Sequence, residues 1–121
     1  MELHVPGGNA FIEMLFRTNA AYQGSSDAVI PDANEAQLIE ALAALERGDV
    51  EYVVLADGAR FMQAAGDAHS GYVLEYNDGT DDAMMHAQGI ISGAHLVDAM
   101  QAYLRHDSSW RGAFRWERIT Y

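Results

Sequence analysis

Apolar and polar positions follow two rhythms along this chain. Between Phe11 and Arg17, Ile12, Met14 and Phe16 recur at every second position. That spacing predicts a strand with one buried face, although Glu13, Met14 and Leu15 also favour a competing helix. Asn19 to Pro31, with Gly24-Ser25-Ser26-Asp27 inside it, reads as a loop. From about Asp32 to Arg47 the period lengthens. Leu38, Ile39, Leu42 and Leu45 form one helical stripe, Asp32 and Glu35 stand at capping-box spacing, and Gly48 is placed to end the helix in a left-handed turn.

Short strands are expected next. They are Glu51 to Ala56, Arg60 to Ala65, Gly71 to Tyr76 and Ala83 to Gln88, with turns at Asp57-Gly58 and Asn77-Asp78-Gly79. A second helix runs from about Gly93 to His106, with Ser92 as its cap and a stripe of Leu96, Val97, Met100, Tyr103 and Leu104. Arg105 and His106 fall in its last turn, where positive charge suits the helix dipole. Ala113 to Ile119 closes the chain as a strand, Phe114 and Trp116 sharing a face. The expected fold is α+β, with element order β-α-β-β-β-β-α-β. Two amphipathic helices pack on a mainly antiparallel sheet of about five to six strands, in one two-layer domain spanning residues 1–121.

Half of the 121 residues are hydrophobic, enough for one self-sufficient core. There are no cysteines, which removes disulfides, thiol nucleophiles and thiolate metal sites together. The start, Met1-Glu2-Leu3-His4-Val5-Pro6, lacks a basic segment followed by an apolar run, so no secretory signal is expected. No apolar run is long enough to span a membrane, and the expected location is cytoplasmic.

Charge changes the picture most. The net charge is −11, and all seven basic residues are arginine. Asn19 to Leu104 holds fourteen acids and two arginines, a local net of −12, while Arg105 to the end is net +2. A body this acidic repels phosphate backbones and argues against direct nucleic-acid binding. It attracts basic surfaces and speeds association with them, or serves only to keep the protein soluble.

No catalytic constellation emerges, and the expectation is a binding protein without an enzyme's chemistry, cofactor or metal. The histidines His4, His69, His86, His95 and His106 have no short ligand spacing. His69-Ser70 lacks a nucleophile-elbow setting. Glu75 shares its strand face with Val73, while Tyr72, Leu74 and Tyr76 line the other. Were the Glu75 face to pack on the helices, its carboxylate would need a partner, with Arg60 and Arg118 as candidates. His86 can approach Glu75 across a hairpin, which leaves open an alternative: a small-molecule-binding or enzymatic domain using Glu75 and His86. Asp78, Asp81 and Asp82 form the densest acidic cluster, on a hairpin loop, without the spacing of a calcium loop. Trp116 beside Phe114 reads as core. Trp110, after Asp107-Ser108-Ser109, is the more reachable indole and a candidate anchor for a partner.

The C-terminal half resembles the Imm1 family of bacterial immunity proteins, small inhibitors encoded beside toxins of polymorphic and contact-dependent secretion systems. The residues carrying the resemblance are Arg60-Phe61-Met62-Gln63-Ala64-Ala65-Gly66, Gly71-Tyr72-Val73-Leu74-Glu75-Tyr76-Asn77-Asp78-Gly79, Leu96 to Leu104, Asp107-Ser108-Ser109-Trp110-Arg111 and Phe114-Arg115-Trp116-Glu117. The resemblance covers about Asp32 to the end and rests on order and spacing rather than on one motif. It implies an α+β inhibitor of a cognate toxin domain with a basic cleft, such as a nucleic-acid deaminase or nuclease. Glu75, Trp116 and Glu117 look like its structural signature. The expected partner-binding residues are Tyr76, Asp78, Asp81, Asp82 and Trp110, on a protein expected to be monomeric.

Overall fold

The computed structural model describes residues 12–18, 26–79 and 83–120. Seven strands form one antiparallel sheet: β1 Glu13–Thr18, β2 Ser26–Ile30, β3 Val50–Asp57, β4 Arg60–Asp67, β5 Gly71–Asn77, β6 Ala83–Ala87 and β7 Trp116–Thr120. Their spatial order is β2-β1-β3-β4-β5-β6-β7. Helix α1, Glu35–Arg47, links β2 to β3, and helix α2, Gly93–Leu104, leads through a 3-10 turn at Ser108–Gly112 to β7. The α+β class holds, with a sheet larger than the five to six strands expected.

Period-two alternation explains which sheet face is covered. The paired positions Ile30, Met14, Leu55, Met62, Tyr76 and Met85 form one row across β2, β1, β3, β4, β5 and β6. Met14, Leu55 and Met62 in this row are fully buried. Leu38, Ala41, Leu42 and Leu45 of α1 and Leu96, Ala99, Met100 and Ala102 of α2 are buried, and both helices pack against β3 and β4. Each fully buried Leu or Met contributes about 1.5–3 kcal/mol relative to an exposed one, so this face holds the domain together.

Several boundaries differ from the sequence reading. The segment assigned to a loop contains β2, a short edge strand in which Asp27 and Val29 are exposed while Ala28 and Ile30 face inward. Its alternation is too weak to read alone; pairing with β1 from Met14↔Ile30 to Thr18↔Ser26 defines it. The capping box of α1 is Asn34 with Gln37, not Asp32 with Glu35. Asn34 Oδ1 accepts from Gln37 N–H at 2.8 Å, and Gln37 Oε1 accepts from Asn34 N–H at 2.9 Å. The start shifts because Pro31 and Asp32 form a turn and Ala33 N–H is tied to the Ile12 carbonyl, which keeps Ala33 out of the helix. At the other end, β7 begins at Trp116 rather than Ala113, since residues 108–112 coil into the 3-10 turn.

Both helices end in the same backbone device. In α1, Gly48 adopts φ 83° and Asp49 N–H reaches back to the Ala44 carbonyl. In α2, Asp107 N–H reaches the Ala102 carbonyl, His106 N–H reaches Tyr103, and His106 itself takes φ 61°. This is the Schellman arrangement, whose left-handed position favours glycine. Arg105 and His106 therefore lie beyond the last helical turn, not within it.

Candidate functional site

The hairpin ends of β3–β4 and β5 meet the α2–β7 connection at one end of the sheet. Asp107 makes this possible by accepting from Ser109 N–H at 2.9 Å, a bond that starts the 3-10 turn and holds the carboxyl below its ordinary range. The turn swings Trp110 inward. Its ring meets Tyr76 edge-on at 4.7 Å between centroids, and Tyr103 and Trp116 lie 5.6 and 5.8 Å away. Tyr76 also meets Trp116 edge-on at 4.7 Å, and Trp116 Nε1–H donates to the Arg111 carbonyl at 2.9 Å. Such edge-to-face pairs add about 0.5–1.5 kcal/mol each beyond their burial.

Arg111 closes the cluster. Its guanidinium carbon stands 4.8 Å from the Trp110 ring centre and 5.2 Å from that of Tyr76, and its Nη1–H donates to Tyr76 Oη at 3.4 Å. Beside it lies a hollow of about 200 Å³ whose lining includes Asp57, Arg60, Tyr103, His106 and Asp107. Asp57 Oδ2 takes Arg60 Nη2 at 3.0 Å. Burial, with help from Asp57, pushes the Tyr103 phenol up to about 12, so it stays a neutral donor.

The predicted partner-binding residues divide accordingly. Tyr76 and Trp110 come together, and Asp78 is exposed one residue beyond Asn77, which lines the same hollow. Asp81 and Asp82 lie outside the described residues. Trp110 is only 5% exposed, which corrects its reading as a reachable anchor. The capped turn packs its ring into the core, while Trp116 is the half-buried indole. Arg111, His106, Asp57 and Tyr103 were not singled out from sequence. Asp107-Ser108-Ser109 is the local signal that could have pointed here, since Asp107 caps the 3-10 turn.

Glu75 lies on the opposite sheet face from the helices, so the premise that burial under them demands an arginine does not hold. Arg60 pairs with Asp57 instead, and Arg118, opposite Met85, belongs to the helix-side row. The carboxylate is nevertheless only 12% exposed and doubly held. Gln63 Nε2 donates to Oε1 at 2.9 Å, and His86 Nδ1 lies 2.9 Å from Oε2. An ionised carboxylate only accepts, so this contact is a hydrogen bond when the ring carries a proton on Nδ1.

These three residues belong to a row that crosses all seven strands: Val29, Leu15, Val54, Gln63, Glu75, His86 and Glu117. It is apolar on β2, β1 and β3 and polar from β4 onward. Among the described residues no group of three or more histidines and carboxylates is arranged to hold a metal ion, and no helix is long and apolar enough to cross a membrane. Compared with known proteins, the chain matches no family model, no curated protein and no solved structure.

Proposed function

We propose that this protein is an immunity-type inhibitor that binds a cognate toxin domain with a basic, nucleic-acid-handling cleft and blocks it. The observation that carries this reading is the charge: a net of −12 between Asn19 and Leu104, with Arg47 and Arg60 the sole basic side chains there apart from histidine. The resemblance of the C-terminal half to Imm1 proteins supplies the class. A toxin that grips DNA or RNA needs a positive groove, and an acidic body is drawn into such a groove at an enhanced rate. The inhibitor acts as a monomer in the cytoplasm and does no chemistry itself.

The docking end in this reading is the Tyr76–Trp110–Arg111 cluster with the exposed Asp78 next to Asn77, and Asp81 and Asp82 follow it in the sequence. The aromatic packing gives a rigid platform, and the hairpin carboxylates meet the partner's arginines and lysines. The decisive experiment mixes the purified protein with the toxin domain encoded next to it. Activity should disappear at one equivalent, and full activity at excess inhibitor ends the proposal. Charge reversal by D78K, D81K and D82K should slow association and flatten its salt dependence. Unchanged kinetics would move the interface off this end.

A further inference from the structure

Among the described residues no helix covers the sheet face opposite α1 and α2, and this face carries a feature that inhibition does not use. Leu15, Tyr52, Val54, Ala65 and Val73 surround a hollow of about 450 Å³, with Gln63 and Glu75 at one side. That volume falls within the roughly 300–1,000 Å³ of small-molecule sites, which share this composition of apolar walls and a few fixed polar groups. Val73 at 40% and Val29 at 53% exposure are apolar positions at the surface of this face.

The polar side of the hollow defines the ligand. Among the described residues, the contacts of the Glu75 side chain are an amide and an imidazole, and no arginine lies within ion-pair distance. Gln63 and His86 each engage one oxygen, fixing the carboxylate plane and leaving a lone pair on each oxygen. Glu75 lines the hollow, so these remaining lone pairs can accept from a protonated amine placed over the apolar wall. Tyr52 stands in the wall, its hydroxyl donating to Asp27 Oδ1 at 3.3 Å.

We propose that the open sheet face is a binding site for a small organic cation with an apolar body and one protonated amine. The amine hydrogen-bonds to Glu75, and the body lies over Leu15, Val54 and Val73. This site lies on the sheet face opposite the helices and stands or falls independently of toxin inhibition.

The test is titration of the whole protein with phenethylamine, followed by amide chemical shifts in NMR, with 3-phenylpropionate as the anionic counterpart of similar shape. The amine should produce saturable shifts at Val54, Gln63 and Val73, and the acid should produce none. Glu75→Gln keeps the shape and removes the charge, and it should weaken amine binding about tenfold or more, as expected for loss of a charge-assisted hydrogen bond. Val73→Lys, at an exposed position on the same strand face, should abolish binding by supplying an internal ammonium; unchanged shifts outside the hollow will verify its fold. No saturable shift with the amine, equal binding of amine and acid, or undiminished binding by either variant would overturn the proposal.

Discussion

The ring of Tyr76 stands edge-on to the indole of Trp110, 4.7 Å between centroids, and so joins the end of β5 to the turn after α2. Trp110 is the centre of this arrangement, with Tyr103 and Trp116 on its other sides and Arg111 over its face. Trp110→Ala should cost about 3–5 kcal/mol in urea denaturation, as other large-to-small aromatic truncations do. Trp110→Phe should cost clearly less. A near-neutral W110A would mean that the indole is not packed as described. Binding losses in W110A must be read against this loss of fold.

His106 occupies a left-handed conformation, φ 61°, at the position where α1 uses Gly48. A side chain there costs about 1–2 kcal/mol of steric strain. Because His106 lines the hollow beside Arg111, the strain is retained where a partner is proposed to dock. His106→Gly should raise stability by up to about 1 kcal/mol, part of the strain relief being lost to glycine's greater unfolded-state entropy. Thermal melts that show H106G less stable than the parent would refute strain at this residue.

Gly66 shows the opposite case. Its φ is +96°, and a Cβ there would lie 2.3 Å from the Gly71 carbonyl oxygen, a backbone atom of the paired strand that cannot swing aside. Gly66→Ala should destabilise by at least about 1–3 kcal/mol. Equal midpoints for G66A and parent in denaturant would contradict the close approach.

Glu35 and Arg105 connect the start of α1 to the end of α2 through two bonds, Arg105 Nε–H and Nη2–H donating to the carboxylate at 2.6 and 2.8 Å. The hydrogen bonding from Arg105 holds the Glu35 carboxyl below its ordinary value of 4.5. As pH falls, the unfolded chain takes up this proton first. The pair's stabilisation is therefore complete above the ordinary value and is lost as pH drops through the depressed folded one. Both side chains are about half exposed, so the effect on global stability is small. An NMR titration of the Glu35 side-chain carboxyl should give a midpoint below 4.5 that returns toward it in Arg105→Gln. A parent midpoint at the ordinary value would dismiss the interaction in solution.

Local physics made much of this fold readable. The stripes of α1 (apart from Ile39, which is 40% exposed) and α2, the cap at Ser92, the left-handed Gly48 and the turns at Asp57-Gly58 and Asn77 onward all depend on residues within a few positions of one another. These are the interactions a linear pattern records. The approach of His86 to Glu75 was legible for the same reason, since β5 and β6 form a hairpin.

What only tertiary structure decided depends on distant pairing. Strand β2 exists because β1 offers it a ladder, and Ile12 holds the start of α1 back to Asn34. Which face of β5 the helices cover placed Tyr76 in the core and Glu75 on the open side, a choice that alternation alone leaves symmetrical. Trp110 looked like a surface residue among Asp107-Ser108-Ser109 and Arg111. Its burial required Tyr76, Tyr103 and Trp116 to converge from three other elements, and no local pattern encodes such a meeting.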